Sequence, residues 1–299
     1  MRFLRIIGFA LSGLLLLVAV AVAGLYVWTN KELKATVPDR THAFTAPTGD
    51  SAVARGEHVT KALAKCADCH GQDYGGLVMV ADPAIGTIAA PNLTSGRGSR
   101  VTGFTDADFE RAIRHGTTKT GRRLLIMPSN EYALLSDDDV GVIIAYIKTL
   151  PPVDRDEVPI QPGPLARALY AAGQMPWFPA DKVTHTTDVV PAVAVDSTVE
   201  YGRYLAMGGC SGCHGPNFSG GKIQGAPPDW PPSANLTPTG LSKYDYAAFS
   251  KALTDGVRPD GSAINPMMPV QATKLMTPVE MTAVWKYLQS LPPAEFGVR

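Results

Sequence analysis

The sequence predicts an all-α fold made of two tandem copies of one small helical domain, preceded by a single N-terminal membrane-spanning helix. A six-residue motif with two cysteines and a histidine starts at residue 66 and again at residue 210. Residues 6–28 form a long uncharged stretch. Neither copy of the repeat shows the regular alternation of apolar and polar residues that is typical of half-buried strands.

The N-terminal stretch has the features of a membrane anchor. As a helix, residues 6–28 would span ~34 Å, which is enough to cross a hydrocarbon core of ~30 Å. Tyr26 and Trp28 lie where interfacial aromatic residues usually lie. Arg2 and Arg5 precede the span, which places the N-terminus in the cytoplasm. The rest of the chain is then expected on the periplasmic side of the bacterial inner membrane.

The predicted anchor comprises residues 1–30. The alternative is a cleaved signal peptide, because Ala21-Val22-Ala23 fits the small-residue pattern of a cleavage site. An uncleaved anchor is preferred, since the apolar run continues past this site to the interfacial aromatic residues. Both interpretations place the bulk of the chain outside the cytoplasm.

The similarity between the two copies continues beyond the cysteine motif. Asn-Leu-Thr occurs at 92–94 and at 235–237, and Met-Pro occurs at 127–128 and at 268–269. Each Met-Pro pair is followed by a Leu-Pro-Pro sequence at the same distance. Shared elements in the same order and at similar spacing indicate a duplicated domain.

The repeat defines the expected domain boundaries. The first domain is expected at 51–152 and the second at 199–299. Residues 31–50 are interpreted as a polar tether between the anchor and the first domain. The stretch 153–198 is rich in proline and is interpreted as a linker that is partly ordered against the domains, with one short helix at 165–172.

Helix start signals recur along the repeats. Each consists of a serine or threonine N-cap followed three residues later by an acidic side chain, the pattern of a capping box. The pairs are Thr105/Asp108, Ser136/Asp139 and Thr277/Glu280. Gly116 is expected to end the first of these helices. The other two pairs open segments whose apolar residues keep helical spacing.

Charge and cysteine content narrow the possible functions. The chain has 27 Lys+Arg and 27 Asp+Glu, so its net charge is zero. This argues against nucleic-acid binding, which needs an excess of positive charge. Four cysteines are too few for a disulfide scaffold, and all four lie in the two motifs.

Both motifs have the form Cys-x-x-Cys-His, the pattern for covalent attachment of haem. A spacing of three on a helical turn puts both sulfurs on one side. The predicted attachment residues are Cys66, Cys69, Cys210 and Cys213, and the predicted proximal iron ligands are His70 and His214. Two covalently bound haem c groups are therefore expected. A zinc site, a redox dithiol or structural disulfides are less favoured, because each pair has its own histidine in its own repeat.

Methionines at matching positions of the repeat are the predicted distal iron ligands. A methionine thioether raises the reduction potential of haem iron and suits electron transfer. Met127 and Met268 each precede a proline, which fixes the local backbone. Met267 is the rival in the second domain, and counting back from Leu-Pro-Pro selects Met268.

Other polar residues near the first motif are assigned to the surface. Asp255 occupies the position in the second copy that matches His115, so His115 is expected at a solvated helix end. A basic cluster is interpreted as a solvated face, or alternatively as partners of haem propionates or of an acidic protein. Its members are Arg97, Arg100, Arg111, Arg114, Arg122 and Arg123.

Both repeats resemble class I cytochrome c domains, which share the Cys-x-x-Cys-His motif, a methionine before proline and an amphipathic C-terminal helix. The second repeat, with its 255–261 and 268–269 segments, is similar to the cytochrome c subunits of periplasmic alcohol and gluconate dehydrogenases. The resemblance implies that Gly56 and Gly202 lie on N-terminal helices. These helices would cross the C-terminal helices near Tyr146 and Tyr287.

The predicted function is that of a membrane-anchored electron carrier and not an enzyme. The expected partners are the membrane and redox proteins: a dehydrogenase, a quinol-oxidising complex or a terminal oxidase. With both irons six-coordinate, no small-molecule substrate is expected at the metal. A dihaem peroxidase-like enzyme is the alternative. It would need an open or displaceable position at one iron, and the paired Met-Pro signals count against that. A haem-based sensor is a third possibility.

Overall fold

The computed structural model describes residues 2–38, 43–227 and 229–298. The remaining positions, 1, 39–42, 228 and 299, include part of the expected tether and lie outside the described residues.

The first helix, α1 (Arg2–Lys34), carries the predicted span. It is long and apolar enough to cross a membrane, with a mean hydropathy of 2.7 in its most apolar window. Its side chains are exposed along almost the whole length, and Thr29 is its one buried residue. An apolar helix whose most apolar window has no protein packed around it matches the predicted anchor in length and composition.

The first half is built of short helices around one apolar core. They are α2 (Asp50–His58), α3 (Cys66–His70), α4 (Asp106–Glu110), α5 (Ser129–Tyr132) and α6 (Asp137–Ile147). α2 and α4 each continue into one turn of π-helix, at Val59–Leu63 and Arg111–His115. Ile143 and Ile144 of α6 are almost completely buried in this core.

The linker and the second half are also built mainly of short helices. The linker holds α7 (Pro164–Ala171), which confirms the predicted short helix, and a 3₁₀ turn at Pro179–Lys182. The second half contains α8 (Val199–Gly209), α9 (Ser211–His214), α10 (Tyr246–Asp255), α11 (Val270–Thr273) and α12 (Pro278–Ser290). Its own core forms mainly from α8, α10 and α12.

A small antiparallel sheet corrects the all-α prediction. β1 (Leu77–Asp82) pairs with β2 (Gly86–Ala90), and β2 pairs with β3 (Gln161–Pro162) from the linker. β1 reads Leu-Val-Met-Val-Ala-Asp, an apolar run without alternation, so its pattern gave no strand signal. Asp82 stabilises the turn between β1 and β2, because its carboxylate accepts hydrogen bonds from the backbone amides of Ala84 and Ile85, both at 2.8 Å.

The helix caps follow the sequence signals with one exception. Thr105 and Thr277 form complete capping boxes. Gly116 ends the turn after α4 with φ of 61°, a left-handed conformation. At α6 the side chain of Ser136 accepts from the amide of Asp139, but the carboxylate of Asp139 does not return to the cap. That carboxylate is bound by other residues, described below.

The crossing implied by the family resemblance is confirmed. A Cβ on Gly56 would lie 2.0 Å from the carbonyl oxygen of Val142 and 2.8 Å from Cβ of Tyr146. In the second half the crossing partner of α8 is α12, at Tyr287. Both N-terminal helices can approach the C-terminal helices this closely only because glycine has no side chain.

The end of α1 packs against the linker. Trp28 stacks on Tyr170 with ring centroids 5.4 Å apart, and Tyr170 stacks on Trp177 at 4.4 Å. The guanidinium of Arg167 donates to the hydroxyl of the buried Thr29. α1 therefore ends in a packed aromatic cluster that ties the helix to the linker and, through β3, to the first half.

The two halves meet through a reciprocal polar interface. His58, two residues after the crossing glycine of α2, lies 2.9 Å from both carboxylate oxygens of Glu280 in the second half. Tyr204, two residues after the crossing glycine of α8, donates to the carboxylate of Asp139 in the first half at 2.7 Å. Equivalent positions thus exchange contacts, as at a two-fold axis.

The interface brings the starts of the two cysteine motifs together. Lys65, directly before the first motif, donates through Nζ to the carbonyl of Gly209, directly before the second, at 2.5 Å. Leu63 and Tyr204 each pack against both cores. The two predicted haem sites therefore lie on either side of one interface.

Candidate haem-binding sites

The first motif forms the short helix α3. Lys65 precedes it with φ of 52°, and Gly71 ends it with φ of 80°. His70 is 7% exposed, and its Nδ1 lies 2.9 Å from the carbonyl oxygen of Pro91. Because a carbonyl oxygen can only accept, Nδ1 carries the hydrogen and Nε2 keeps its lone pair. Burial lowers the pKa of His70, which also favours the neutral, ligand-ready imidazole.

The second motif has the same geometry. His214 is 6% exposed, and its Nδ1 lies 2.8 Å from the carbonyl oxygen of Ala234. Gly215 follows with φ of 83°, matching the glycine after the first motif. Phe218 and Tyr74 occupy equivalent left-handed positions, with φ of 61° and 55°. The two halves therefore present imidazole Nε2 atoms in the same orientation relative to their backbones.

The cysteines fit thioether attachment better than ionic metal binding. All four are free. Burial raises the pKa of the Cys66 thiol to about 12 and also raises the pKa values of Cys69 and Cys210. A zinc or redox site needs thiolates, which such surroundings disfavour. Within the described ranges, no group of three or more His, Cys, Asp or Glu side chains is arranged to hold a metal ion.

The Asn-Leu-Thr repeat holds the carbonyl that orients each histidine. Asn92 follows Pro91, accepts from the amide of Thr94 at 2.8 Å and donates to the carbonyl of Val153 at 2.7 Å. In the second half, Asn235 and Thr237 make the same bonds, with Ala294 supplying the carbonyl. The sequence shows that this segment is repeated but not what it does, because the carbonyl groups that the asparagines bind lie about sixty residues away.

The two Met-Pro loops have matching backbones. Pro128 has φ of −78° and ψ of 52°, and Pro269 has −77° and 63°. Met127 packs against the same core as Cys66. Met268 is half-buried, whereas Met267 is 47% exposed. The backbone match supports the choice of Met268 from the doublet.

The interpretation of the basic residues as solvated is wrong for four of them. His115 and Arg114 are each 4% exposed, and Arg111 and Arg123 are each 9% exposed. Their acidic partners come partly from remote segments: Arg114 binds Asp137. The arginines at 97, 100 and 122 are exposed at the surface, as expected. Sequence spacing could not show partners that only folding brings near.

Two matching covalent haem sites in one chain define a dihaem protein of the c type. The cytochrome c family model matches residues 199–292, and the model for subunit III of cbb3-type cytochrome c oxidase matches residues 51–147. The chain belongs to the cytochrome c family and binds two haem c groups covalently.

Curated relatives agree with this assignment. The chain is 32% identical over 280 residues to the cytochrome c subunit of a quinone alcohol dehydrogenase from Gluconacetobacter polyoxogenes, covering 83% of this chain and 58% of the relative. It is 30% identical over 219 residues to a gluconate 2-dehydrogenase cytochrome c subunit from Pantoea cypripedii, covering 69% and 45%. The chain thus spans about half the length of these dehydrogenase subunits.

A third relative matches from end to end. It is a dihaem c-type cytochrome from Cereibacter sphaeroides, 27% identical over 310 residues, with 95% of this chain and 98% of the relative covered. Its coverage shows that nearly the whole of this chain has a counterpart in one protein of similar length.

Proposed function

We propose that the chain is a membrane-anchored dihaem electron carrier that faces the periplasm. It passes single electrons from a dehydrogenase or respiratory donor to a downstream acceptor. The observation that carries this proposal is the matched geometry of the two halves. Each holds a buried histidine fixed by a backbone carbonyl, with a Met-Pro loop of the same conformation.

The proposed roles follow the repeat. The haem-holding residues are Cys66, Cys69, Cys210 and Cys213, and the axial ligand pairs are His70 with Met127 and His214 with Met268. When bound, haem c supplies reversible one-electron oxidation and reduction of its iron. The chain's own part is to fix the imidazole tautomer, to hold the methionine loops and to exclude water from the cores.

The membrane position rests on α1 and its contacts. Arginines at positions 2 and 5 precede the span, which favours a cytoplasmic N-terminus and a periplasmic location for both halves. Because the end of α1 packs on the linker, the first half is held beside the membrane. Anchoring raises the effective concentration of the carrier near membrane-bound partners.

The dehydrogenase relatives suggest the donor. Several similar proteins are named as cytochrome subunits of alcohol, gluconate or fructose dehydrogenases. We propose a dehydrogenase of this kind as donor, with a quinol-oxidising complex as an alternative donor and a terminal oxidase as a possible acceptor. Purification of the anchored chain from solubilised membranes, with identification of the bound subunits, tests this assignment.

Haem content tests the proposal directly. Pyridine haemochrome analysis and intact mass of the purified chain are expected to show two thioether-linked haems. Any other number contradicts the proposed function. Rapid peroxide turnover by the isolated protein would instead favour the peroxidase-like alternative, which needs an open iron position that the paired Met-Pro loops argue against.

Replacing Met268 with alanine is expected to let carbon monoxide bind at the second haem, because the distal sulfur is removed. The matched variant is Met267→Ala, which alters the exposed neighbour and should leave ligand binding unchanged. Reduced-minus-oxidised and carbon monoxide difference spectra of the full chain measure the effect. Carbon monoxide binding in the Met267 variant alone would reverse the assignment of the doublet.

A further inference from the structure

The loop that leads to Met127, residues 121–127, is held by contacts from the linker and from α1. The amide of Ile126, directly before Met127, donates to the carbonyl oxygen of Trp177 in the linker at 2.8 Å. Ile126 has φ of 64°, a left-handed conformation that is unusual for a β-branched residue. Such a conformation persists only where the surrounding structure holds it. The linker therefore fixes the backbone next to the proposed distal ligand of the first haem.

The corresponding loop of the second half is held by its own residues. Met267 matches Ile126, and its amide donates to Oδ1 of Asn265 at 2.9 Å. The amide of Met268 donates to the carbonyl oxygen of the same Asn265, also at 2.9 Å. The two Met-Pro loops thus share a backbone conformation but differ in what supports it.

The linker residue that holds Ile126 is packed against the end of α1. Trp177 is 1% exposed, and its ring stacks on Tyr170 of α7 with centroids 4.4 Å apart. Tyr170 also stacks on Trp28 of α1, with centroids 5.4 Å apart. An aromatic stack therefore runs from the predicted anchor to the residue whose carbonyl supports the Met127 loop.

Arg123 provides a second link between the loop and α1. Its guanidinium donates through Nη2 to the carbonyl oxygen of Glu32 at 2.9 Å and to Oε2 of Glu32 at 2.8 Å. Nη1 donates to both carboxylate oxygens of Asp181 at 2.8 Å, and the guanidinium lies 3.9 Å from the ring centroid of Phe178. Because a planar guanidinium with these partners has a fixed orientation, Arg123 joins the loop, the linker and α1 at one point.

The backbone after α1 also runs beside the start of the loop. The amide of Val37 donates to the carbonyl oxygen of Gly121 at 2.9 Å, and Thr36 pairs with Arg122 in an antiparallel bridge. A Cβ on Gly121 would lie 2.6 Å from the carbonyl oxygen of Val37, so the two segments are in close contact. The loop is therefore contacted from outside at its beginning, at Arg123 and at Ile126.

These contacts bear on how firmly a methionine can ligate the first iron. Residues that orient a metal ligand from behind influence how well that ligand binds. A loop that opened would carry its thioether away from the iron. The reduction potential would then fall, because a methionine ligand raises it.

We propose that the end of α1 and the linker form a clamp that holds Met127 in place at the first haem. The positioning residues of this clamp are Arg123, Glu32, Tyr170 and Trp177. The inference rests on the proposed electron-carrier function, in which Met127 is the distal ligand. It makes ligation at the first haem depend on the anchor, whereas ligation at the second haem does not.

Arg123→Ala in the full-length, haem-loaded protein in detergent tests the clamp, because it removes the hydrogen bonds to Glu32 and Asp181 together. We expect carbon monoxide to bind at one haem of the reduced variant, and one of the two midpoint potentials to fall. The near-infrared charge-transfer absorption of ferric haem with a methionine ligand should weaken. Arg122→Ala is the matched control, since it changes the adjacent, exposed arginine and should leave all three measurements unchanged.

Trp28→Ala tests the role of the anchor separately and covers the case in which Arg123→Ala fails to fold. Trp28 is 42% exposed and lies outside the Met127 loop, so its replacement acts on the loop only through the aromatic stack. Carbon monoxide should again bind at one haem. Trp28→Phe keeps an aromatic ring at this position and should restore wild-type ligand binding.

Wild-type ligand binding and potentials in Arg123→Ala overturn the proposal. The same result in Trp28→Ala also overturns it, because the anchor would then have no part in holding the loop. Met127→Ala separates the two hypotheses. If it opens one haem to carbon monoxide while the clamp variants do not, the ligand pair stands and the clamp alone is wrong. If it binds no carbon monoxide, the proposed ligand pair and the clamp are both wrong.

Discussion

Replacing Gly202 with alanine is expected to lower the free energy of unfolding of the second domain by about 3 kcal/mol. A Cβ at this position would lie 1.9 Å from the carbonyl oxygen of Ala283 and 2.9 Å from Cβ of Tyr287. Both atoms are fixed to the backbone of α12, so no side-chain rotation can relieve the overlap. α8 and α12 would have to move apart, which would loosen the core around the second haem site.

Gly208→Ala is the matched control, because it changes a glycine of the same helix. Its Cβ would meet only Cδ2 of Leu135, at an ordinary contact distance of 3.6 Å. Alanine is favoured over glycine within a helix by up to about 1 kcal/mol, so this variant should be as stable as wild type or more so. Urea unfolding of the haem-loaded chain, followed by circular dichroism, compares them. Equal stability of the two variants would contradict the close crossing.

The sequence was informative wherever one short segment determines the structure. The complete capping boxes at Thr105 and Thr277, the helix in the linker and the equivalence of the two halves all depend on local signals. The crossing at Gly56 came from the family resemblance rather than from spacing. These features could be predicted because either the repeat or the family fixes the partners in advance.

Features that depend on remote partners were missed. His115 was assigned to solvent, yet it is buried because His185, seventy residues away, stacks on it. The incomplete capping box at Ser136 has the same origin, since Arg55 and Tyr204 bind the carboxylate of Asp139. Neither spacing nor periodicity within a repeat reports on contacts made between repeats.

A substitution at the interface between the halves is also expected to destabilise the protein strongly. Replacing Glu280 with alanine is expected to lower the free energy of unfolding by about 3 kcal/mol. Glu280 is 1% exposed and accepts from the backbone amide of Thr277 at 2.8 Å and from His58 across the interface at 2.9 Å. The substitution removes half of a capping box and, with it, the hydrogen bond from His58 across the interface.

The same carboxylate makes stability depend on pH. Burial alone would raise the pKa of Glu280, but the hydrogen bonds from His58 and Thr277 outweigh it and lower the pKa below its usual value. A carboxylate with a lowered pKa stabilises the folded state above its unfolded pKa of about 4.3. That contribution is lost as pH falls through the lowered value. Glu280→Gln should therefore lose less stability than wild type as pH falls through and below the unfolded pKa of about 4.3.

Glu57→Ala separates this interface effect from the loss of any nearby acid. Glu57 adjoins His58 in sequence, but it is half exposed and pairs with Lys61 one helical turn away. Pairs of this kind contribute about 0.5 kcal/mol, so the substitution should leave the acid dependence of unfolding unchanged. Urea midpoints measured across the pH range for all three proteins make the comparison. If Glu280→Gln followed the wild-type acid dependence, the contact with His58 would not hold the two halves together.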